Sequence, residues 1–212
     1  MPVVLRQLLA PYGECRRDRR LVEESQRCPQ GRKGTFFMIT IRTATVADAE
    51  KLLAIYASYV ENTAITFEYT VPSVEEFANR IKNTLADYPY LVAEKDGEIL
   101  GYTYAGTFKP RCAYRHCVET SIYVAREAHG QGIGRKLYEA LEEELKSRGI
   151  ININACIAWI ETPNSHLTHQ SPDFHAKMGY KRVAHFHRCG YKFDEWYDMI
   201  WMEKLLDIKY FK

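Results

Sequence analysis

Between Val118 and Arg135 the chain concentrates the residue types that could do chemistry. Val118-Glu119-Thr120-Ser121-Ile122-Tyr123-Val124 alternates as a strand does. That sets Glu119, Ser121 and Tyr123 on one face and Val118, Ile122 and Val124 broadly on the other. The turn His129-Gly130-Gln131-Gly132-Ile133-Gly134-Arg135 then leads into a helical pattern carried by Leu137, Leu141 and Leu145. Glycines let backbone approach an anion closely, and the first amides of a helix are unpaired donors aimed at it. A diphosphate suits such a cradle, and Arg135 adds charge. Glu119 is a carboxylate that can act as a general base or sit as a solvated member of a cross-strand ion pair. Spacing alone leaves both roles open.

The same spacing limits the ligand. A dinucleotide fold needs a third glycine where Arg135 stands, and a phosphate loop needs Gly-Lys-Ser/Thr, which does not follow. A strand, a Gly-x-Gly-x-Gly turn and an apolar-laddered helix is the arrangement of a coenzyme A diphosphate site. An ordinary strand-to-helix turn with packing glycines is the alternative.

The elements that must position these residues follow from local signals. Residues 38–44 read as a strand. Thr45 with Asp48 can cap a helix carrying Leu52, Leu53, Ile55, Tyr56 and Tyr59, and Ser73 with Glu76 is a second capping box, for a helix running to about Asp87. Residues 90–106 are two strand-like runs joined by Asp96-Gly97, a strong hairpin signal. After the strand at 117–125 and the long helix from about Gly132 to Arg148 come an apolar strand (150–160), a turn-rich stretch, a short helix closed by Gly179, and strands near 180–187 and 196–204. The order is β-α-α-β-β-β-α-β-α-β-β: one mixed α/β domain over 38–206, with a tail at 207–212.

The net charge of +2 on 212 residues hints weakly at nucleic acid, but its distribution removes the hint. Residues 1–37 hold eight basic and four acidic residues, net +4, and the remainder holds 21 and 23, net −2. Residues 1–37 read as a basic, disordered leader, with Met38 a candidate natural start. No run approaches the ~18 apolar residues of a membrane span, and six cysteines without a C-x-x-C pair suit a reduced, cytoplasmic protein. Neither nucleic acid nor membrane is expected as a partner.

Four stretches together resemble the GNAT acetyltransferase superfamily and, within it, the phosphinothricin, methionine sulfoximine and methionine sulfone N-acetyltransferases. They are Tyr114-Arg115-x-x-Val118-Glu119-x-Ser121-Ile122-Tyr123-Val124, the turn from His129 to Arg135, Phe174-His175-x-x-Met178-Gly179-Tyr180, and Gly190-Tyr191-Lys192-Phe193-x-x-Trp196-x-Asp198. The resemblance implies an α/β GNAT-type fold: a mixed, mostly antiparallel sheet flanked by helices and splayed between its fourth and fifth strands. It implies acetyl-CoA as cosubstrate, direct transfer to the amine of a small amino-acid-like substrate, and a homodimer.

Carried onto this sequence, Ile122, Tyr123 and Val124 would line the acetyl and pantetheine. His129, Gly130, Gln131, Gly132, Ile133, Gly134 and Arg135 would hold the diphosphate, although His129 stands where the family usually has Gln or Arg. Glu119 would be the base. His175 stands where many members carry a tyrosine acid, and is a candidate for that role or a surface histidine. Arg111, Tyr114 and Arg115 would meet the acceptor, with Phe67 and Glu68 beside them. Asn164 and Ser171 would touch the cofactor, though six extra residues (165–170) separate them from the family spacing.

Alternatives are an acetyltransferase for a polyamine or a peptide N-terminus, which the basic loop at 107–116 disfavours, or an acyl-CoA-binding sensor without turnover. His166, His169, His175, His185, His187 and Cys189 are metal-ligand types, but their spacing matches no standard structural zinc site, and no metal is expected. Glu142, Glu143 and Glu144 read as the wet face of the long helix.

Overall fold

The local signals set the elements where tight backbone geometry is required. In the computed structural model, which describes residues 38–206, Thr45 and Asp48 form a reciprocal capping box around a short 3-10 turn that leads into α1 (Ala49–Asn62). Ser73 accepts from the Glu76 amide (3.1 Å) and opens α2 (Val74–Asp87). Asp96 and Gly97 both take positive φ (54° and 83°), the conformation that a two-residue hairpin turn demands, and join β2 (Tyr90–Lys95) to β3 (Glu98–Thr107). The expectations for residues 1–37 and 207–212 lie outside the described residues.

With β1 (Thr40–Thr43), β4 (Cys117–Val124), β5 (Asn152–Trp159), β6 (Lys181–Lys192) and β7 (Glu195–Leu205), the sheet has seven strands in the order β1-β2-β3-β4-β5-β7-β6. Every neighbouring pair is antiparallel except β4 and β5. That parallel pair is short: Cys117–Glu119 meet Asn152–Asn154, and beyond them the two strands diverge. The splay begins where Thr120 Oγ1 donates to the Asn154 carbonyl (3.2 Å). The last two strands run further than expected because Phe193 and Asp194, both at positive φ, make a tight turn that carries pairing to Lys192 and Glu195.

Helices cover both faces of the sheet. On β4, Tyr123 packs edge-on against Tyr56 and Tyr59 of α1, at 5.1 and 5.2 Å. Its neighbour Ile122 points the other way, toward Gly134 of α3 (Ile133–Ser147). The strand's alternation therefore assigns α1 and α2 to one face and α3 to the other. Leu137, Tyr138, Leu141 and Leu145 of α3 are all at most 1% exposed and fill that second face. α4 (Gln170–Lys177) docks against α3 through Phe174, which lies 5.5 Å from Tyr138.

One expectation fails on α3. Glu142 is buried rather than on the wet face, and Lys204 Nζ of β7 donates to both of its carboxylate oxygens at 2.7 Å. It lies one turn after Tyr138, so the helical period carries it inward, and the lysine from the sheet makes its burial tolerable.

Candidate active site

The turn at the start of α3 has the form its glycines require. Gly130 and Gly132 both hold positive φ, 77° and 78°, which side-chain-bearing residues rarely adopt. The first helical bond of α3 runs from the Lys136 amide to the Gly132 carbonyl (3.2 Å), so the amides ahead of it have no helical acceptor. Ile133 faces the core at 1% exposure, and only its backbone belongs to the cradle. Gln131 bonds the Glu127 carbonyl. His129 bonds backward: its Nε2 lies 3.1 Å from both the Tyr59 hydroxyl and the Val124 carbonyl. Its imidazole thus ties the turn to the end of β4 instead of facing the cradle. Arg135 is exposed beside the turn, 3.7 Å from Glu139.

The splay between β4 and β5 forms a narrow cleft whose walls include Ser121, Ile122, Tyr138, Cys156, Ser171 and His175. Of the β4 residues expected here, Tyr123 turns its ring toward α1, so it contributes backbone to the cleft. The Ala125 amide bonds Leu100 of β3, so by alternation the Val124 amide points to the open side, where it donates to the Tyr59 hydroxyl at 3.4 Å.

His175 is no surface histidine: it is 3% exposed. Its Nδ1 lies 2.8 Å from the Ser171 carbonyl and must carry the proton, which leaves Nε2 to accept from the Tyr138 hydroxyl at 2.8 Å. Burial pushes its pKa down to about 4. With Nδ1–H on the Ser171 carbonyl and Nε2 accepting from Tyr138, the imidazole is held between its own helix and α3, and it fixes the Tyr138 hydroxyl at the cleft.

Glu119 stands at the mouth of the splay, half-buried. Burial raises its pKa above the usual carboxylate value, and Lys109 pulls partly in the other direction. Its cross-strand partner is Gly106, and a Cβ there would meet nothing within 4 Å, so the carboxylate faces an open notch. Arg111, Tyr114 and Arg115 lie on the exposed loop before β4. The two arginines have no hydrogen-bond or ion-pair partner among the described residues, while Tyr114 packs on Phe108 (6.0 Å).

The remaining expected residues have local partners. Asn164 closes a local turn, its Oδ1 accepting from the His166 and Leu167 amides at 2.8 Å, and its Nδ2 reaches toward β7. It is a loop staple, and of the expected pair only Ser171 reaches the cleft. Phe67 is inserted against Gly190 of β6, where any Cβ would lie 2.3 Å from its ring. Glu68 is bonded to Arg80 of α2 at 2.7 Å.

The histidines disperse as well. His166 stacks on Phe193 and His169 on Trp159. His185 and His187 meet Asp198, with His185 Nε2 2.6 Å from one carboxylate oxygen and the Arg188 amide on the other.

Sequence reasoning missed Tyr138, Cys156 and Gly106. Tyr138 alone carried a signal, one helical turn after Gly134 on the same face.

The family model for the acetyltransferase (GNAT) domain matches residues 41–201. The chain is 34% identical over 169 residues to a phosphinothricin N-acetyltransferase of Alcaligenes faecalis, covering 79% of this chain and 83% of that one. It is 35% identical over 170 residues to an L-methionine sulfoximine/L-methionine sulfone acetyltransferase of Pseudomonas paraeruginosa, covering 79% and 95%. A solved phosphinothricin acetyltransferase of Sinorhizobium meliloti, in complex with AcCoA, superposes with a TM-score of 0.73 at 33% identity over 80% of this chain and 89% of that one. The chain belongs to the GNAT acetyltransferase family and is an enzyme of that class.

Proposed function

We propose that the protein acetylates the α-amine of small amino acids of the phosphinothricin, methionine sulfone or methionine sulfoximine type, by direct transfer from acetyl-CoA. The observation that carries this reading is Glu119. It is a half-buried carboxylate of raised pKa, facing an open notch, on the strand that leaves its parallel neighbour to form the cleft. The named activities of the relatives supply the substrate class.

The residues present fit acetyl-CoA. The amides of Gly130–Arg135 and the Arg135 guanidinium would hold the diphosphate, and the edges of β4 and β5 would hold the pantetheine. Acetyl-CoA supplies an activated thioester. At the acceptor, Glu119 takes a proton from the ammonium, directly or through water, leaving a neutral nitrogen that can attack. The C–N bond forms as the C–S bond breaks, and the second proton of the attacking nitrogen passes to the departing sulfur, so that the neutral amide and CoASH leave. The Val124 amide, whose only partner on the open side is the long bond to Tyr59, would turn to the carbonyl oxygen as charge develops there. Arg111 and Arg115, unpaired on the loop before β4, take the acceptor carboxylate.

The four described cysteines are free, which fits a reducing cytoplasm. No described helix is long and apolar enough to cross a membrane. Phe186 and Val183 of edge strand β6, about half exposed, suit a homodimer contact.

The test is Glu119→Gln assayed with a panel of methionine sulfone, methionine sulfoximine, phosphinothricin, spermidine and short peptides. Turnover should fall by roughly 10²–10⁴-fold with acetyl-CoA affinity kept. Unchanged turnover removes Glu119 from the mechanism, and activity confined to spermidine or peptides removes the substrate class.

A further inference from the structure

Between α1, α2 and the sheet lies a second cavity of about 390 Å³ with no part in the chemistry above. Its floor is a tyrosine platform built by register. Tyr90 of β2 pairs with Tyr104 of β3, and Tyr102 of β3 pairs with Tyr123 of β4, all four on the α1 face. The rings pack at 4.9 Å (Tyr90–Tyr104), 5.7 Å (Tyr90–Tyr102) and 5.3 Å (Tyr102–Tyr123).

Tyr90 and Tyr102 are only 2% and 1% exposed, yet neither hydroxyl has a hydrogen-bond partner among the described residues. Neither is among the polar atoms sealed from solvent, so each oxygen opens into the cavity. Burial pushes both phenols well above their ordinary pKa, so they stay neutral and able to donate. At the rim, Arg80 is paired with Glu68 (2.7 Å) and Glu76 (2.5 Å), so no cation there is left free for an anionic group. Two buried donors without acceptors, in an aromatic chamber, are an incomplete site.

The cavity lies on the same sheet face as Glu119. From Glu119, opposite the vacant side of Gly106, the next residue on that face is Ser121, opposite Tyr104 of the platform. Glu119 and Ser121 are about 7 Å apart along the strand, two residues of rise. Only a glycine and a serine therefore stand on that face between the base and the tyrosines of the platform.

We infer that this tyrosine chamber receives the acceptor's side chain, and that the enzyme takes amino acids with a large uncharged side chain ending in a hydrogen-bond acceptor, of the size of tyrosine. The inference rests on the proposed amino-acid acetylation and shifts its substrate class from the anionic phosphinothricin side chain to larger, uncharged ones. The cavity has room for roughly a dozen water-sized groups, at about 30 Å³ each, well beyond what a methionine sulfone side chain fills. The acceptor amine lies at Glu119, its side chain crosses Ser121, and its terminal oxygen accepts from Tyr90 or Tyr102.

The experiment compares kcat/KM for methionine sulfone, phenylalanine and tyrosine in the wild type and in two variants. Thr84→Trp fills the chamber from α2, and the ratio of tyrosine to methionine sulfone should fall at least ~10-fold. Tyr102→Phe, a near-isosteric change that keeps the fold, should lower the ratio of tyrosine to phenylalanine by roughly 2- to 10-fold, one neutral hydrogen bond. If both ratios stay fixed, or if the wild type acetylates methionine sulfone but neither aromatic amino acid, the chamber assignment is overturned and the proposed activity stands. If the wild type acetylates no amino acid, both fall.

Discussion

Lys192 of β6 is 3% exposed and has no carboxylate partner among the described residues. Its Nζ donates to three backbone carbonyls, Val60 (2.7 Å), Thr63 (2.9 Å) and Thr66 (2.9 Å). These lie at the end of α1 and in the loop that carries Phe67 and Glu68. Desolvation lowers its pKa, while nearby Glu68 opposes that shift. Lys192→Met keeps the apolar stem but leaves three carbonyls without this donor. At about 1 kcal/mol for each orphaned neutral acceptor, the low end of the usual range, the loss is about 3 kcal/mol. For a domain of this size that amounts to roughly 6–12 °C in Tm. Urea unfolding with an unchanged m-value would measure it. Lys192→Arg should not rescue, because a planar fork cannot aim at three carbonyls from one point. The loop edges the acceptor site, so the acceptor KM should also rise more than the acetyl-CoA KM. A loss below about 1 kcal/mol would show that the carbonyls find other donors, and the clamp would be refuted.

His175 has a folded pKa of about 4 against 6.5 unfolded, so the unfolded chain binds more protons between those values. Stability should therefore fall as pH drops from 6.5 toward 4, by about 3 kcal/mol in all, and His175→Phe should flatten that part of the profile in urea titrations. Because the Glu119 pKa is raised, kcat/KM should fall on the acid side at a higher pH than an ordinary carboxylate would set, once the acceptor's own ionisation is accounted for. Glu142→Ala, which strands Lys204 against α3, should cost about 3 kcal/mol, and pairing Glu142→Leu with Lys204→Met should recover most of it in the same unfolding assay. Gly190→Ala would drive a methyl into the Phe67 ring and should destabilise by about 1–3 kcal/mol, seen as a lower Tm.

What was legible in the chain is what is decided within one turn of backbone. The reciprocal box of Thr45 and Asp48, the Asp96-Gly97 hairpin and the positive-φ glycines before α3 are local demands that residue type alone satisfies. The face of Glu119 was legible for the same reason, since strand alternation fixes it, while its expected role came from the family resemblance. Roles that depend on a partner far along the chain were not. Glu142 is chemically identical to Glu143 and Glu144, and only Lys204 of β7 makes it an interior residue. His175 looks like any helical histidine until Ser171 and Tyr138 consume both ring nitrogens.

The tyrosine chamber is the sharpest case. Tyr90, Tyr102, Tyr104 and Tyr123 each fit an unremarkable strand pattern, and only the β2-β3-β4 register gathers them on one face. A one-residue slip in that register would turn a strand's tyrosines to the opposite face and close the chamber. Acceptor choice therefore rests on strand pairing as much as on any single side chain. Substitutions that loosen the Asp96-Gly97 turn should accordingly alter which amines are acetylated before they alter acetyl-CoA binding, because the glycine cradle belongs to α3 and not to that hairpin.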